Sequence, residues 1–113
     1  MKIQEISAVT NNVPCPQVEG CYMRNLTFRQ LEELQNLAKE EKSAKDAEEH
    51  HLKILVWLFQ HALVDVNDEP FTDTQTPENI RDNLPSNIAR FLVEDAIAHF
   101  AGDKEGNSQN GQG

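Results

Sequence analysis

Glu48 and His51 lie three residues apart in a charged stretch and give one copy of the Glu-x-x-His spacing used by di-metal helical bundles. Such a centre needs a second copy and two further glutamates, each on its own helix, and the chain has no second copy. His50 and His61 each have an acid four residues away, Asp46 and Asp65, a spacing that any solvated helix supplies by chance. His99 reads as a residue at the edge of a core. Asp65-x-Asn67-x-Glu69 begins like a calcium loop. That loop needs glycine at its sixth position and glutamate at its twelfth, where this chain has Pro70 and Thr76. Cys15 and Cys21 are conceivable nucleophiles, but neither adjoins an activating base or a helix N-terminus. They read as free thiols on or near a hairpin. A bridge across the five intervening residues fits geometrically, but nothing in the sequence asks for one. There is no glycine-rich phosphate loop and no G-x-S-x-G. The expectation is a protein that is not an enzyme, with no catalytic residues, no metal and no cofactor.

The totals restrict the remaining options. A chain of 113 residues makes one domain with one modest core. Its net charge of −9 argues against binding a phosphate backbone, so no nucleic-acid partner is expected. The longest unbroken apolar run, Ile54 to Phe59, is far short of the roughly 20 residues that span a bilayer, so no membrane partner is expected. Met1-Lys2-Ile3-Gln4-Glu5 has no apolar core of a secretory signal, which predicts a reducing compartment and unpaired cysteines.

The elements that must position any site are mostly helical. Asn11 to Pro16 is turn-rich, and Cys21-Tyr22-Met23-Arg24 after Gly20 reads as a short strand. Lys2–Val9 would pair with it in a small β-hairpin, the other reading being an extended arm. Thr27 and Gln30 form a capping box that starts a helix, with Leu26 and Leu31 as its hydrophobic staple. Leu31, Leu34, Leu37 and Ala38 make the buried stripe of that helix, which breaks near Lys42. Ser43-x-x-Asp46 restarts a second helix from about Ala44 to Asp65, ended by the turn residues before Pro70. Thr76 caps a short helix to about Leu84, with Pro77 at its first position. Ser86 caps a last helix whose face is Ala89, Leu92, Val93, Ala96 and Phe100, closed by Gly102. Four of the five glycines lie from residue 102 onward with no large apolar residue, which predicts a flexible tail over 102–113. The fold class is therefore mainly α. One domain over 1–101 holds three to four helices and a short N-terminal hairpin or arm over 1–26.

The second helix carries the strongest functional signal. Leu52, Leu55, Leu58, Phe59, Ala62 and Leu63 form a broad apolar face at helical spacing. Trp57 and Val64, seven residues apart, form a second apolar line near the opposite side. Either the hairpin or the last helix covers that line, or another chain does. Tryptophan's frequent role as an interface anchor favours contact, so Trp57 and Val64 are candidate partner-binding residues, with Tyr22 and Arg24 beside them. The second chain would be another protein or another copy of this one.

Two stretches carry a family likeness. Val18-Glu19-Gly20-Cys21-Tyr22-Met23-Arg24-Asn25-Leu26-Thr27-Phe28-Arg29-Gln30 resembles the opening of the tail assembly chaperones of long-tailed bacteriophages, a strand ending in Arg-x-Leu-Thr followed by a helix. Leu63-Val64-Asp65-Val66-Asn67-Asp68-Glu69-Pro70-Phe71-Thr72-Asp73 resembles that family's Val-Asp-x-x-Gly-x-Pro-x-Phe-x-Asp turn. Asp68 stands where the family has glycine, and Phe71 follows Pro70 directly. The likeness covers roughly residues 18–101. It implies a non-enzymatic protein of the infected host's cytoplasm that binds the tape measure protein, keeps it soluble while tail tube subunits polymerise, and is absent from the mature virion. It also implies contact with tail tube protein through a longer frameshifted form, for which the tail would be the junction. The competing class is a small acidic regulatory protein that occupies a basic surface, and the scattered acids of this chain suit it less well.

Overall fold

The computed structural model describes residues 12–41 and 45–101. Their order is β1 (Val13–Pro14), β2 (Tyr22–Met23), α1 (Phe28–Glu41), α2 (Ala47–His61), β3 (Leu63–Val64), α3 (Pro77–Asn83) and α4 (Ser86–Ala96). A 3-10 turn, Thr72–Thr74, precedes α3, and a π turn, Ile97–Ala101, extends α4. The fold is mainly helical with one small antiparallel sheet, as the patterning predicts.

Local chemistry fixes most boundaries. At the start of α1 the Gln30 backbone N–H donates to Thr27 Oγ1 at 3.2 Å, and the Thr27 N–H donates to Gln30 Oε1 at 3.0 Å. This reciprocal pair satisfies two donors that a helix start otherwise leaves bare. Leu26 and Leu31 both pack against the core, as a staple requires. Thr76 caps α3 by accepting from the Asn79 N–H at 3.2 Å, with Pro77 in the first turn. The second helix starts later than its sequence pattern predicts. It begins at Ala47, and Asp46 caps it by accepting from the Glu49 N–H at 3.0 Å. The last helix begins at Ser86, so Ser86 is not its cap. Pro85 occupies that position and makes no side-chain cap bond.

The central helix ends earlier than expected, and this changes the layout. It stops at His61, and Leu63–Val64 leaves it as a strand instead of continuing to Asp65. The sheet order is β1-β2-β3, with Tyr22 opposite Val64 and Met23 opposite Leu63. Beyond that pair, the Arg24 N–H donates to the Ala62 carbonyl at 2.9 Å. The strand pairing with Tyr22–Met23 on the other side is Val13–Pro14, within the segment that reads as a turn. Lys2–Val9 lies outside the described residues, as does the 102–113 tail. Pro14 is tolerated because β1 is an edge strand among the described residues, where a missing N–H costs little.

The core lies between α2 and its neighbours. Leu52, Ile54, Leu55, Leu58 and Phe59 of α2 are buried, and the helix packs on α1, α3, α4 and β3. Leu34 of α1, Ile80 of α3 and Leu92, Val93 and Ala96 of α4 complete it. The π turn lies against α1 and buries Phe100. The predicted faces of α2 and α4 are thus the faces that pack inward.

Candidate functional site

The four candidate contact residues do not form one surface. Val64 is 1% exposed, so it is not available to a partner. The physical reason is the early end of α2: once the chain leaves the helix, a seven-residue spacing no longer means a shared face. Val64 sits in β3, directly across from Tyr22, and the chain returns at Pro70 to bridge it from the other side. Tyr22 is half-buried in the same sheet. Arg24 is exposed at the end of β2, where its backbone N–H extends the ladder.

Trp57 is different. It lies on α2, half-buried, and packs on the edge of the core without entering it. Its indole N–H donates to Glu33 Oε1 of α1 at 3.2 Å. The His61 ring, one turn on, lies 4.8 Å away by centroid and tilted by 45°. The indole is therefore held on one edge by a carboxylate and on one side by an imidazole. Beside it a groove of about 470 Å³ runs over α2 from Leu37 of α1 to Pro77 of α3. Leu37, Leu52, Val56 and Trp57 give it an apolar lining, and Glu49, Lys53 and Gln60 add polar groups. An apolar depression with a tryptophan at its side is the form of site that takes a partner's apolar side chains.

A second, more polar recess of about 360 Å³ lies between α2, α3 and α4. Asp46, Glu48, His51 and Arg81 line it, with Leu55, Ile80 and Leu84. Arg81 Nη2 pairs with Glu49 Oε1 at 2.7 Å across the gap from α3 to α2, but both side chains are largely exposed. Among the described residues no group of three or more His, Cys, Asp or Glu is placed to hold a metal ion. No helix of the described residues is long and apolar enough to cross a membrane.

The polar residues with chemical spacing have structural partners. His50 is buried, and its Nε2 lies 2.7 Å from the Leu37 carbonyl, tying the start of α2 to the end of α1. Asp65 Oδ1 accepts from the backbone N–H groups of Asn67, at 2.8 Å, and Glu69, at 3.1 Å. That carboxylate closes its own turn, which explains the Asp-x-Asn-x-Glu spacing. Within this turn Asp68 adopts φ 64°, in the left-handed region.

Three features are absent from the sequence reading. Asp95 of α4 is 6% exposed and accepts from the Gln17 backbone N–H at 3.4 Å and from Gln17 Nε2 at 3.3 Å. The only sequence signal is an acid one residue short of Ala96 on an otherwise apolar face. Phe28, the first residue of α1, is 90% exposed, and Val66 on the turn is also open. Phe28 lies one turn before the Leu31–Leu34 stripe, where a core helix would still bury it. Both cysteines are buried and free, within the β1–β2 loop. Comparison with known protein families, with curated proteins and with solved structures finds no match.

Proposed function

We propose that this chain is a tail assembly chaperone of the long-tailed bacteriophage kind, which receives an apolar helix of the tape measure protein in the groove beside Trp57. The observation that carries the reading is the groove itself: an apolar lining of Leu37, Val56 and Trp57 along the central helix, with the buried Leu52 beneath them among its lining residues. Helix-in-groove capture uses such a lining to take side chains at one-turn spacing, and the net charge of −9 keeps the loaded complex dispersed. Asp68 adds local support. The resembled turn carries glycine at this position, and here the backbone takes the left-handed conformation that glycine adopts freely. In this reading the protein is not an enzyme. It acts in the host cytoplasm, contacts tail tube protein through a longer frameshifted form, and leaves before the virion is complete.

The test is co-purification with the tape measure protein encoded beside it. Trp57→Ala and, separately, Val56→Gln are expected to lower capture by about tenfold, the loss of one good anchor. Far-UV circular dichroism should show the same helicity as the parent. Unchanged capture by both folded variants would remove the groove from the function. Unfolding by Trp57→Ala would make the indole a core residue, leaving Val56→Gln to decide the matter.

A further inference from the structure

The loop between β1 and β2 buries the two thiols of the described residues side by side. The register that pairs Val13 with Met23 and Pro14 with Tyr22 continues to Cys15 and Cys21, whose backbones meet through the Cys15 N–H and the Cys21 carbonyl at 2.9 Å. Directly opposed residues of an antiparallel pair have Cα atoms about 4.5–5.5 Å apart, within the about 4.4–6.8 Å that a disulfide spans. A recess of about 130 Å³ lined by Val18, Phe59, Phe71 and Leu92 reaches the pair at Cys21 and has room for a molecule the size of hydrogen peroxide.

We propose that Cys15 and Cys21 are an oxidation site: a hydroperoxide converts them to an intramolecular disulfide within the native fold. The thiolate of one cysteine attacks one peroxide oxygen, the O–O bond breaks, and the departing hydroxide takes up a proton as water. That cysteine is then a sulfenic acid. The other cysteine attacks its sulfur, the S–S bond forms, the S–O bond breaks, and a second water leaves with the proton of the second thiol. Two thiols lose two electrons and one peroxide gains them.

The surroundings set how the pair ionises. The hydrogen bond from Cys21 holds the Cys15 thiol below the usual thiol range, against burial and the nearby Asp95 charge, which push it up. The same hydrogen bond raises Cys21 far above that range, reinforced by burial and by the Cys15 and Asp95 charges. One sulfur is therefore disposed to ionise, and the other keeps its proton until the sulfenic acid forms. Because the bridge would join residues already paired, oxidation should leave the helices in place.

The experiment uses the full chain, reduced, at low micromolar concentration, with hydrogen peroxide as the oxidant. Expected are loss of both thiols together, a monomer lighter by about 2 Da, and a peptide map linking Cys15 to Cys21. Thiols that survive in native protein and react only in denaturant would overturn the proposal, as would a disulfide-linked dimer. Dimedone added with the peroxide tests the intermediate. It should trap a sulfenic acid on the remaining sulfur of Cys15→Ser or Cys21→Ser, and at least about tenfold less in the parent, where the second thiol consumes it. No adduct in either folded variant would overturn the sulfenic acid route. The wild-type readout decides the disulfide itself even if either serine variant fails to fold.

Discussion

Asp68 shows how one residue type settles a local shape. A φ of 64° costs an L-residue roughly 1–2 kcal/mol unless its side chain compensates, and aspartate is among the few that tolerate it. Here Asp68 Oδ1 accepts from Asn12 Nδ2 at 2.8 Å, and its backbone N–H donates to the Asp65 carbonyl at 3.0 Å. Glycine at this position would relieve the backbone but lose the Asn12 contact and add freedom to the unfolded chain. Those effects oppose one another, so Asp68→Gly should leave stability within about 0.5 kcal/mol of the parent. Asp68→Val keeps the strain, removes the acceptor and adds a β-branched side chain, which should cost about 1–3 kcal/mol. Urea unfolding midpoints check both, and equal midpoints for the valine variant and the parent would mean that the turn does not need the left-handed residue. The contrast between Trp57 and Val64 belongs to this scale too. Trp57 is legible as lying off the main apolar face because its helical position alone places it there. Val64 was misplaced because its role depends on whether the helix continues to it.

Among the elements, the starts of α1 and α3 were legible and the end of α2 was not. The Thr27–Gln30 box and the Thr76–Pro77 start are local devices, each complete within four residues, so their sequence is enough. The end of α2 is not local. Ala62, Leu63 and Val64 continue the apolar pattern, but β2 takes their backbone groups, with Ala62 bound to Arg24 and Val64 opposite Tyr22. Pairing with a strand some forty residues earlier leaves no mark in a local pattern. The same limit hid β1, because Pro14 argues against a strand unless the strand is known to lie at an edge. The groove beside Trp57 is legible only in part: the helical pattern sets Trp57 off the main apolar face, but Leu37 and Pro77 reach the groove from other helices. The cap of α2 gives a direct test at this scale. Asp46 holds the first turn of the helix that every other helix packs on, and its carboxylate meets the Glu49 N–H at 3.0 Å. Asp46→Ala should cost about 1 kcal/mol, while Asp46→Asn, which keeps the acceptor, should stay within a few tenths of the parent. In a domain of this size that cost lowers the melting temperature by about 4–8 °C. No drop for the alanine variant would mean that packing, not the cap, sets where α2 begins.

For the whole molecule, charge and apolar surface make opposite predictions about how a partner is held. The net charge of −9 gives a long-range attraction for any basic partner, and an acidic regulator would depend on it. The acids, however, are spread over α1, α2, the Asp65 turn, α3 and α4, and several are already engaged: Glu33 by Trp57, Glu49 by Arg81, Asp65 by its own turn and Asp95 by Gln17. The apolar groove over α2 is the feature on which the proposed capture would depend. Attraction between exposed charges fades once the screening length falls from about 10 Å at 0.1 M salt to about 3 Å at 1 M. Burial of apolar side chains does not fade in this way, because its driving force is the release of surface from water. Co-purification with the tape measure protein should therefore stay within about twofold between 0.1 M and 1 M sodium chloride. A loss of more than about tenfold across the same range would mean that charge does the holding. The acidic regulator would then be the better reading, and Trp57→Ala should matter little at low salt. Running the salt series on the parent and on Trp57→Ala together separates the two cases, since only apolar capture makes the substitution costly at both ends of the range.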